Sequence, residues 1–141
     1  MRCYLDSSVI LRKVFHEVSP LKEWRDIQVG FASRLLRVEC LRTIDRLHHV
    51  GKISDQEVAR YLSDLHRLFT HMGWLPVTEE VLNRAEQPFA TPVGSLDGIH
   101  LATALLWREK HRDEVLFATH DQQLGIAAQA HGCRVIGLSV A

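Results

Sequence analysis

The stretch RCYLDSSVI, residues 2–10, decides the fold. Its β-rich run Arg2–Leu5 ends at Asp6, and the apolar positions of Ser7–Phe15 then recur at helical spacing. The same order returns late in the chain, where the compact apolar run Val115–Thr119 precedes a helical pattern over Asp121–His131. A strand followed at once by a helix is typical of βαβ units, which build a parallel sheet with both faces covered.

Working outward from these two units, short strands alternate with helices along the whole chain. A capping box at Ser54–Glu57 predicts a sharp helix start. This pattern predicts an α/β fold, a three-layer α/β/α domain with about five parallel strands. The remaining predicted strands are Gln28–Ala32, Gly73–Val77 and Arg134–Gly137, and the remaining helices are Ser33–Val50, Ser54–Phe69, one starting at Thr78, Ser95–Lys110 and a short helix from Ser19-Pro20 to Trp24.

Composition limits the class of protein. The 141 residues fit a single domain over 1–141, and 46% hydrophobic with 24% charged residues is typical of a globular chain. The scattered cysteines, Cys3, Cys40 and Cys133, favour a reducing cytoplasm over a disulfide scaffold. We expect neither a signal peptide nor a membrane span, because no apolar run reaches the required length.

Charge balance gives no strong general attraction to nucleic acid. The chain holds 17 Lys and Arg against 17 Asp and Glu, a net charge of zero. Residues 1–50 hold nine basic and six acidic residues, which leaves 8 and 11 for the rest. The net charge is therefore +3 in the first part and −3 in the second, which leaves room for a local basic rim or a basic partner over an acidic site.

Four acids are candidates for one site. Asp6 and Asp121 both follow strands, and ligands of open α/β sheets bind at the carboxyl ends of strands. Asp97 lies in the first turn of a helix whose next ten residues carry no formal charge, so it points inward. Glu39 falls at the edge of the buried stripe of its helix. Converging carboxylates repel, and hard oxygen ligands suit Mg²⁺ or Mn²⁺.

Each acid alone has a simpler interpretation. Asp6 and Asp121 are favourable helix N-caps, and Asp97 suits the positive end of a helix dipole. Glu39 is compatible with a solvated helix surface. Periodicity alone does not decide whether the four converge.

At these positions the chain resembles the PIN-domain ribonucleases, and among them the VapC-type toxins of bacterial toxin–antitoxin pairs. The resemblance rests on four motifs in the family's order, which together span residues 1 to about 138. They are Tyr4-Leu5-Asp6-Ser7-Ser8-Val9-Ile10, Arg37-Val38-Glu39-Cys40-Leu41-Arg42, Leu96-Asp97-Gly98-Ile99-His100-Leu101-Ala102-Thr103-Ala104, and Ala118-Thr119-His120-Asp121-Gln122-Gln123-Leu124.

This resemblance implies a strand order of 3-2-1-4-5 and an acidic pocket built from all four acids. It implies that Asp6, Asp97 and Asp121 bind Mg²⁺ (or Mn²⁺), while Glu39 acts through water. Ser8 and Thr119 match positions that hydrogen-bond the carboxylates. It also implies RNA as substrate, a VapB-like antitoxin as partner, and a homodimer, with helices of residues 33–70 used for both protein contacts.

Four other functions are alternatives, and for two of them the sequence lacks a residue that they require. A haloacid-dehalogenase-type phosphatase needs a second Asp where Ser8 stands, and a receiver-like switch needs an Asp where Val77-Thr78 ends the third strand. A non-catalytic acidic-pocket binding module and a PIN nuclease of RNA processing or decay are further alternatives. His100 follows Asp97 by three positions, but a di-iron site needs a second such pair, and His120 is either a substrate contact or a loop residue.

Overall fold

The structure is a computed structural model that describes residues 1–17 and 20–139. Five strands form one sheet in the order β3-β2-β1-β4-β5, and every neighbouring pair is parallel. The predicted α/β class and strand order are therefore confirmed. The elements are β1 (Arg2–Leu5), α1 (Ser7–Val14), β2 (Val29–Ser33), α2 (Leu35–His49), α3 (Asp55–Thr70), β3 (Met72–Leu75), α4 (Glu79–Ala85), α5 (Ser95–His111), β4 (Leu116–Ala118), α6 (Gln122–Ala130) and β5 (Arg134–Ile136).

The side chains of β1 alternate between two cores, as the period of a strand requires. Cys3 and Leu5 point into a core shared with α1, α2 and α3. Tyr4 points the other way, into a core shared with α5 and α6. The sheet is thus the middle layer of three, and β1 is buried on both faces.

Helix starts follow the sequence closely in most places. Ser54 and Glu57 form the predicted capping box, with Ser54 Oγ accepting from the Glu57 amide at 3.1 Å. The hydroxyl of Thr78 caps α4, and Ser33 Oγ accepts from the Leu35 amide at 3.1 Å. Helix α5 differs, because Gly94 takes the N-cap position and Ser95 is already the first helical residue.

The short helix predicted up to Trp24 is wrong. Its first residue, Ser19, lies outside the described residues. The structure has a single 3₁₀ turn at Trp24–Asp26 instead, closed by the Ile27 amide donating to Trp24 O. So short a segment tightens into i→i+3 bonds more easily than it propagates an α-helix, and Leu21 before it is buried in the core.

No helix within residues 1–17 and 20–139 combines the length and the apolar character needed to cross a membrane. The three cysteines are free thiols, and all are buried. Burial raises the pKa of the Cys3 thiol to about 12, so at neutral pH it stays protonated and packs as a small apolar side chain.

Candidate active site

The candidate site begins where β1 and β4 end side by side. Leu5 of β1 pairs with Ala118 of β4, so the next residues of both strands, Asp6 and Thr119, leave the sheet together. The Asp6 amide extends the ladder by donating to Ala118 O at 3.0 Å. Asp6 is only 3% exposed. A carboxylate buried at a sheet edge needs donors to stabilise its charge.

Two hydroxyl groups supply those donors. Ser8 Oγ donates to Asp6 Oδ2 at 2.7 Å, and Thr119 Oγ1 donates to the same oxygen at 2.9 Å. Ser8 and Thr119 thus make the carboxylate contacts expected from the sequence; their part in catalysis stays a prediction. Among the described residues, no hydrogen bond reaches Oδ1 of Asp6. Its Oδ2 is therefore held by two hydroxyl donors, while Oδ1 is available to accept from a ligand.

Asp121 is connected to Asp6 through Thr119. The Asp121 amide donates to Thr119 Oγ1 at 3.0 Å, and this fixes the hydroxyl that Asp6 accepts from. The Asp121 carboxylate caps α6 by accepting from the Leu124 amide at 3.0 Å, and its side chain is exposed. Asp6 likewise caps α1. Both residues are therefore N-caps, and this role also holds them at the sheet edge.

The pKa of Asp97 depends on its burial and on the charges of the other three acids. Burial raises its pKa to about 6, and the negative charges of Asp6, Asp121 and Glu39 act in the same direction. His100 opposes them only in part. Because all three other acids act on Asp97, their carboxylates lie within electrostatic range of one half-buried position in the first turn of α5.

Glu39 is held by a residue that the sequence analysis did not select. His100 Nε2 lies 2.5 Å from Glu39 Oε1, and His100 Nδ1 lies 2.7 Å from the Tyr4 hydroxyl. His100 is completely buried, whereas the Glu39 side chain is 18% exposed. Glu39 is thus neither a freely solvated helix residue nor a direct neighbour of the Asp6 hydroxyl network.

A signal for this contact was present in the sequence. His100 is the one strongly polar residue between Asp97 and Arg108. A histidine in a helix that is otherwise apolar has to find a polar partner when the helix is buried. Its spacing from Asp97 suggests only half of a di-iron motif, and the identity of its partners depends on packing between distant elements.

His120 lies between Thr119 and Asp121 in the chain and contacts Ser8 and Gly137. Its Nδ1 is 2.8 Å from Gly137 O, and its amide donates to Ser8 Oγ at 3.0 Å. Nε2 is buried without a hydrogen-bond partner among the described residues. The ring therefore ties the residues after β4 to the end of β5.

The donor set fits a magnesium ion held by few protein ligands. Within the described residues, no group of three or more His, Cys, Asp or Glu side chains is arranged to hold a metal ion. Mg²⁺, however, is usually bound through one or two carboxylates together with waters and substrate phosphates. The acids offer only oxygen donors, and burial, followed by the charges of Asp6 and Asp121, raises the pKa of Asp97 to about 6.

Comparison with known proteins agrees with this fold. The class is an α/β/α domain with acids at the ends of its central strands, and the PIN domain family model matches residues 3–132. The chain belongs to the PIN domain family.

One curated relative and two solved structures are similar to this chain along most of its length. The chain is 32% identical over 145 residues to Ribonuclease VapC47 of Mycobacterium tuberculosis, covering 98% of this chain and 94% of that protein. VapBC2 from Rickettsia felis, solved with a DNA fragment from its promoter, superposes with a TM-score of 0.65 at 10% identity over 96% of this chain and 97% of that chain. VapBC-5 from Mycobacterium tuberculosis gives 0.59 at 14% identity, over 95% and 94%. At these identities the structural matches establish the fold alone.

Proposed function

We propose that this protein is a divalent-metal-dependent endoribonuclease, the toxin of a VapBC-type pair, that hydrolyses RNA phosphodiester bonds. The observation that carries the proposal is the meeting of Asp6 and Asp121 at one edge of the sheet, where the Thr119 hydroxyl joins them. Burial and the charges of Asp6, Asp121 and Glu39 raise the pKa of Asp97 beside them. The likeness to Ribonuclease VapC47 along nearly the full length of both chains supports RNA as the substrate class.

In this proposal Asp6, Asp97 and Asp121 hold Mg²⁺, and Mn²⁺ is an acceptable substitute. A bound Mg²⁺ would supply Lewis-acid polarisation of the scissile phosphate and a lowered pKa of bound water. The chain's own contribution is orientation. Ser8 and Thr119 fix Asp6 Oδ2, so that Oδ1 keeps one direction.

Glu39 is assigned to the attacking water. Its Oε1 is taken by His100, and the carboxylate reaches solvent only in part. We propose that Oε2 accepts a hydrogen bond from the water and orients it toward the phosphate. No serine, cysteine or histidine nucleophile enters this scheme.

The proposed partner is a small VapB-like antitoxin, and the protein is proposed to form a homodimer. The solved VapBC structures that share this fold support the first expectation. Exposed residues at the start of α2 and along it include Arg34, which precedes the helix, and Val38 and Arg46 within it, a mixed basic and apolar surface suited to a protein contact. A reading frame for a DNA-binding protein directly upstream, whose product co-purifies with this chain, would separate a toxin from a nuclease of RNA processing.

The deciding experiment is incubation of the purified protein with total RNA in Mg²⁺ or in EDTA, with mapping of the cut ends. We expect discrete cleavage in Mg²⁺, none in EDTA, and none with Asp97→Asn. The matched control is Asp113→Asn, because Asp113 precedes β4 at the opposite edge of the sheet and contacts exposed Arg2 and the Glu114 amide there. Equal cleavage in EDTA would exclude the metal mechanism, and wild-type cleavage by Asp97→Asn would exclude the site.

A further inference from the structure

A polar chain runs through the core from β2 to the acidic site. The Ser33 amide donates to the Tyr4 hydroxyl at 3.2 Å, the hydroxyl lies 2.7 Å from His100 Nδ1, and His100 Nε2 lies 2.5 Å from Glu39 Oε1. Tyr4 and His100 are both completely buried. Four elements, β2, β1, α5 and α2, therefore contribute to one line of hydrogen bonds that ends on a candidate catalytic acid.

The direction of the protons in this chain follows from counting donors. The Tyr4 oxygen already accepts from the Ser33 amide, and burial raises the pKa of the Tyr4 hydroxyl far above its usual range. Tyr4 thus keeps its proton, and both Nδ1 of a neutral His100 and the Thr103 hydroxyl, which itself donates to Ile99 O at 2.7 Å, are acceptors for it. Because the Glu39 carboxylate only accepts hydrogen bonds, the ring nitrogen facing it carries the proton, and Nδ1 is left to accept from Tyr4. The imidazole proton is then on Nε2, and Nε2–H donates to Glu39.

The same donation to Glu39 persists if the imidazole is charged. Burial lowers the pKa of His100, but the hydrogen bond to Glu39 and the charges of Glu39, Asp6 and Asp97 raise it by more. A charged ring carries protons on both nitrogens, so Nε2–H still faces Glu39. In both states Glu39 Oε1 is occupied by a donor that cannot turn away, since a fully buried ring has no room to rotate.

We propose that His100 is a positioning residue that fixes the carboxylate of Glu39, and that Tyr4 holds His100 in the tautomer this requires. Glu39 Oε2 is then directed to the site as the acceptor for the attacking water. This inference rests on the proposed function only for what Glu39 does; the hydrogen-bond arrangement itself is independent of it. It resembles the way an outer carboxylate orients a catalytic or metal-binding imidazole, here with the two roles exchanged.

The first test is kinetic and compares two replacements of one ring. His100→Leu removes the donor, and we expect kcat to fall about 10- to 100-fold with KM unchanged. His100→Gln places an amide N–H where Nε2 stood and should recover most of that loss. The control is His111→Leu, which removes an exposed imidazole at the end of α5 whose Nδ1 lies 2.9 Å from Trp107 O, and should leave kcat unchanged.

Wild-type kcat in His100→Leu would overturn the proposal. So would His100→Gln as slow as His100→Leu with its fold intact by circular dichroism, since a role in packing alone predicts no rescue by a polar side chain.

The second test needs neither RNA nor metal. Nitrogen-15 NMR of the imidazole in the wild-type protein should show a protonated Nε2 at every pH at which the protein is folded, and Tyr4→Phe should shift the Nδ1 resonance. A neutral ring protonated on Nδ1 would overturn the proposal. A wild-type protein that cuts no RNA but shows protonated Nε2 would instead contradict the proposed function and leave the arrangement standing.

Discussion

The ionised form of Asp97 destabilises the folded protein. Its pKa of about 6 in the folded protein lies above the value of 3.8 for an unperturbed aspartate, because burial and three neighbouring acids disfavour its ionised form. Between these two values the folded state binds more protons than the unfolded state, so the free energy of unfolding falls as pH rises. Above pH 6 this loss is complete, and ionised Asp97 then lowers the stability of the metal-free protein.

Replacing this charge should therefore stabilise the fold while removing activity. We expect Asp97→Asn to raise the free energy of unfolding by about 1 kcal/mol at pH 7.5, after a discount for solvent screening of a half-buried group. The gain should shrink toward zero by about pH 2.8, one unit below the unperturbed value of 3.8, where aspartate is largely protonated in both states. Urea unfolding in EDTA at the two pH values measures it, with Asp113→Asn as the unaffected control. A gain that is the same at both pH values would mean that Asp97 is not under charge strain.

At this scale the sequence predicts positions better than contacts. Local order alone locates Asp6 and Asp121. Asp6 directly follows its predicted strand, and Asp121 comes two residues after the predicted strand Val115–Thr119. The pairing of Glu39 with His100 is not local, because it depends on how α2 and α5 meet across β1. Local patterns carry no information on that meeting.

The residue after β5, Gly137, contacts the backbone that positions the site. Gly137 has φ +100°, and a Cβ there would lie 2.5 Å from the carbonyl oxygen of Thr119. Its own carbonyl is 2.8 Å from His120 Nδ1. Thr119 is the residue whose hydroxyl fixes Asp6, so a displacement of this backbone is transmitted to the carboxylate.

Gly137→Ala should accordingly destabilise the protein more than an unfavourable φ alone would. We expect a loss above about 2 kcal/mol in the free energy of unfolding, because backbone strain adds to a clash with backbone. The control is Gly51→Ala, where φ is +77° but no atom lies within 4 Å of the added Cβ, and about 1 kcal/mol is expected. Chemical denaturation of both variants measures the difference; equal losses would show that the Thr119 contact relaxes easily.

Elements are predictable from sequence where caps and periodicity agree. The capping box at Ser54 and Glu57 and the glycine after α2 both act locally, and the structure confirms both ends. The helix predicted up to Trp24 fails because five or six residues cannot outweigh tertiary contacts. There Leu21 is drawn into the core and the chain tightens into a 3₁₀ turn.

The whole molecule brings the two ends of its sequence together. Strands β1 and β4 pair in parallel at the centre of the sheet, so the first and last acids meet at one edge. Alternation of strands and helices indicates a parallel sheet but does not give the order of its strands. That order came from the family resemblance, and the adjacency of Asp6 and Thr119 depends on it.

A magnesium ion at this edge should therefore stabilise the entire fold. An ion that binds only the folded state adds RT ln(1 + [L]/Kd), about 2.7 kcal/mol when Mg²⁺ is present at about 100 times its dissociation constant. For a domain of this size that corresponds to a rise in Tm of roughly 10 °C. Thermal unfolding of wild type across a Mg²⁺ titration, referenced to EDTA, measures the rise. Asp97→Asn should lose most of it, since the charge that attracts the ion is gone. An equal rise in Asp97→Asn would place the ion elsewhere on the surface, and no rise in wild type at any concentration would contradict magnesium binding by the free protein.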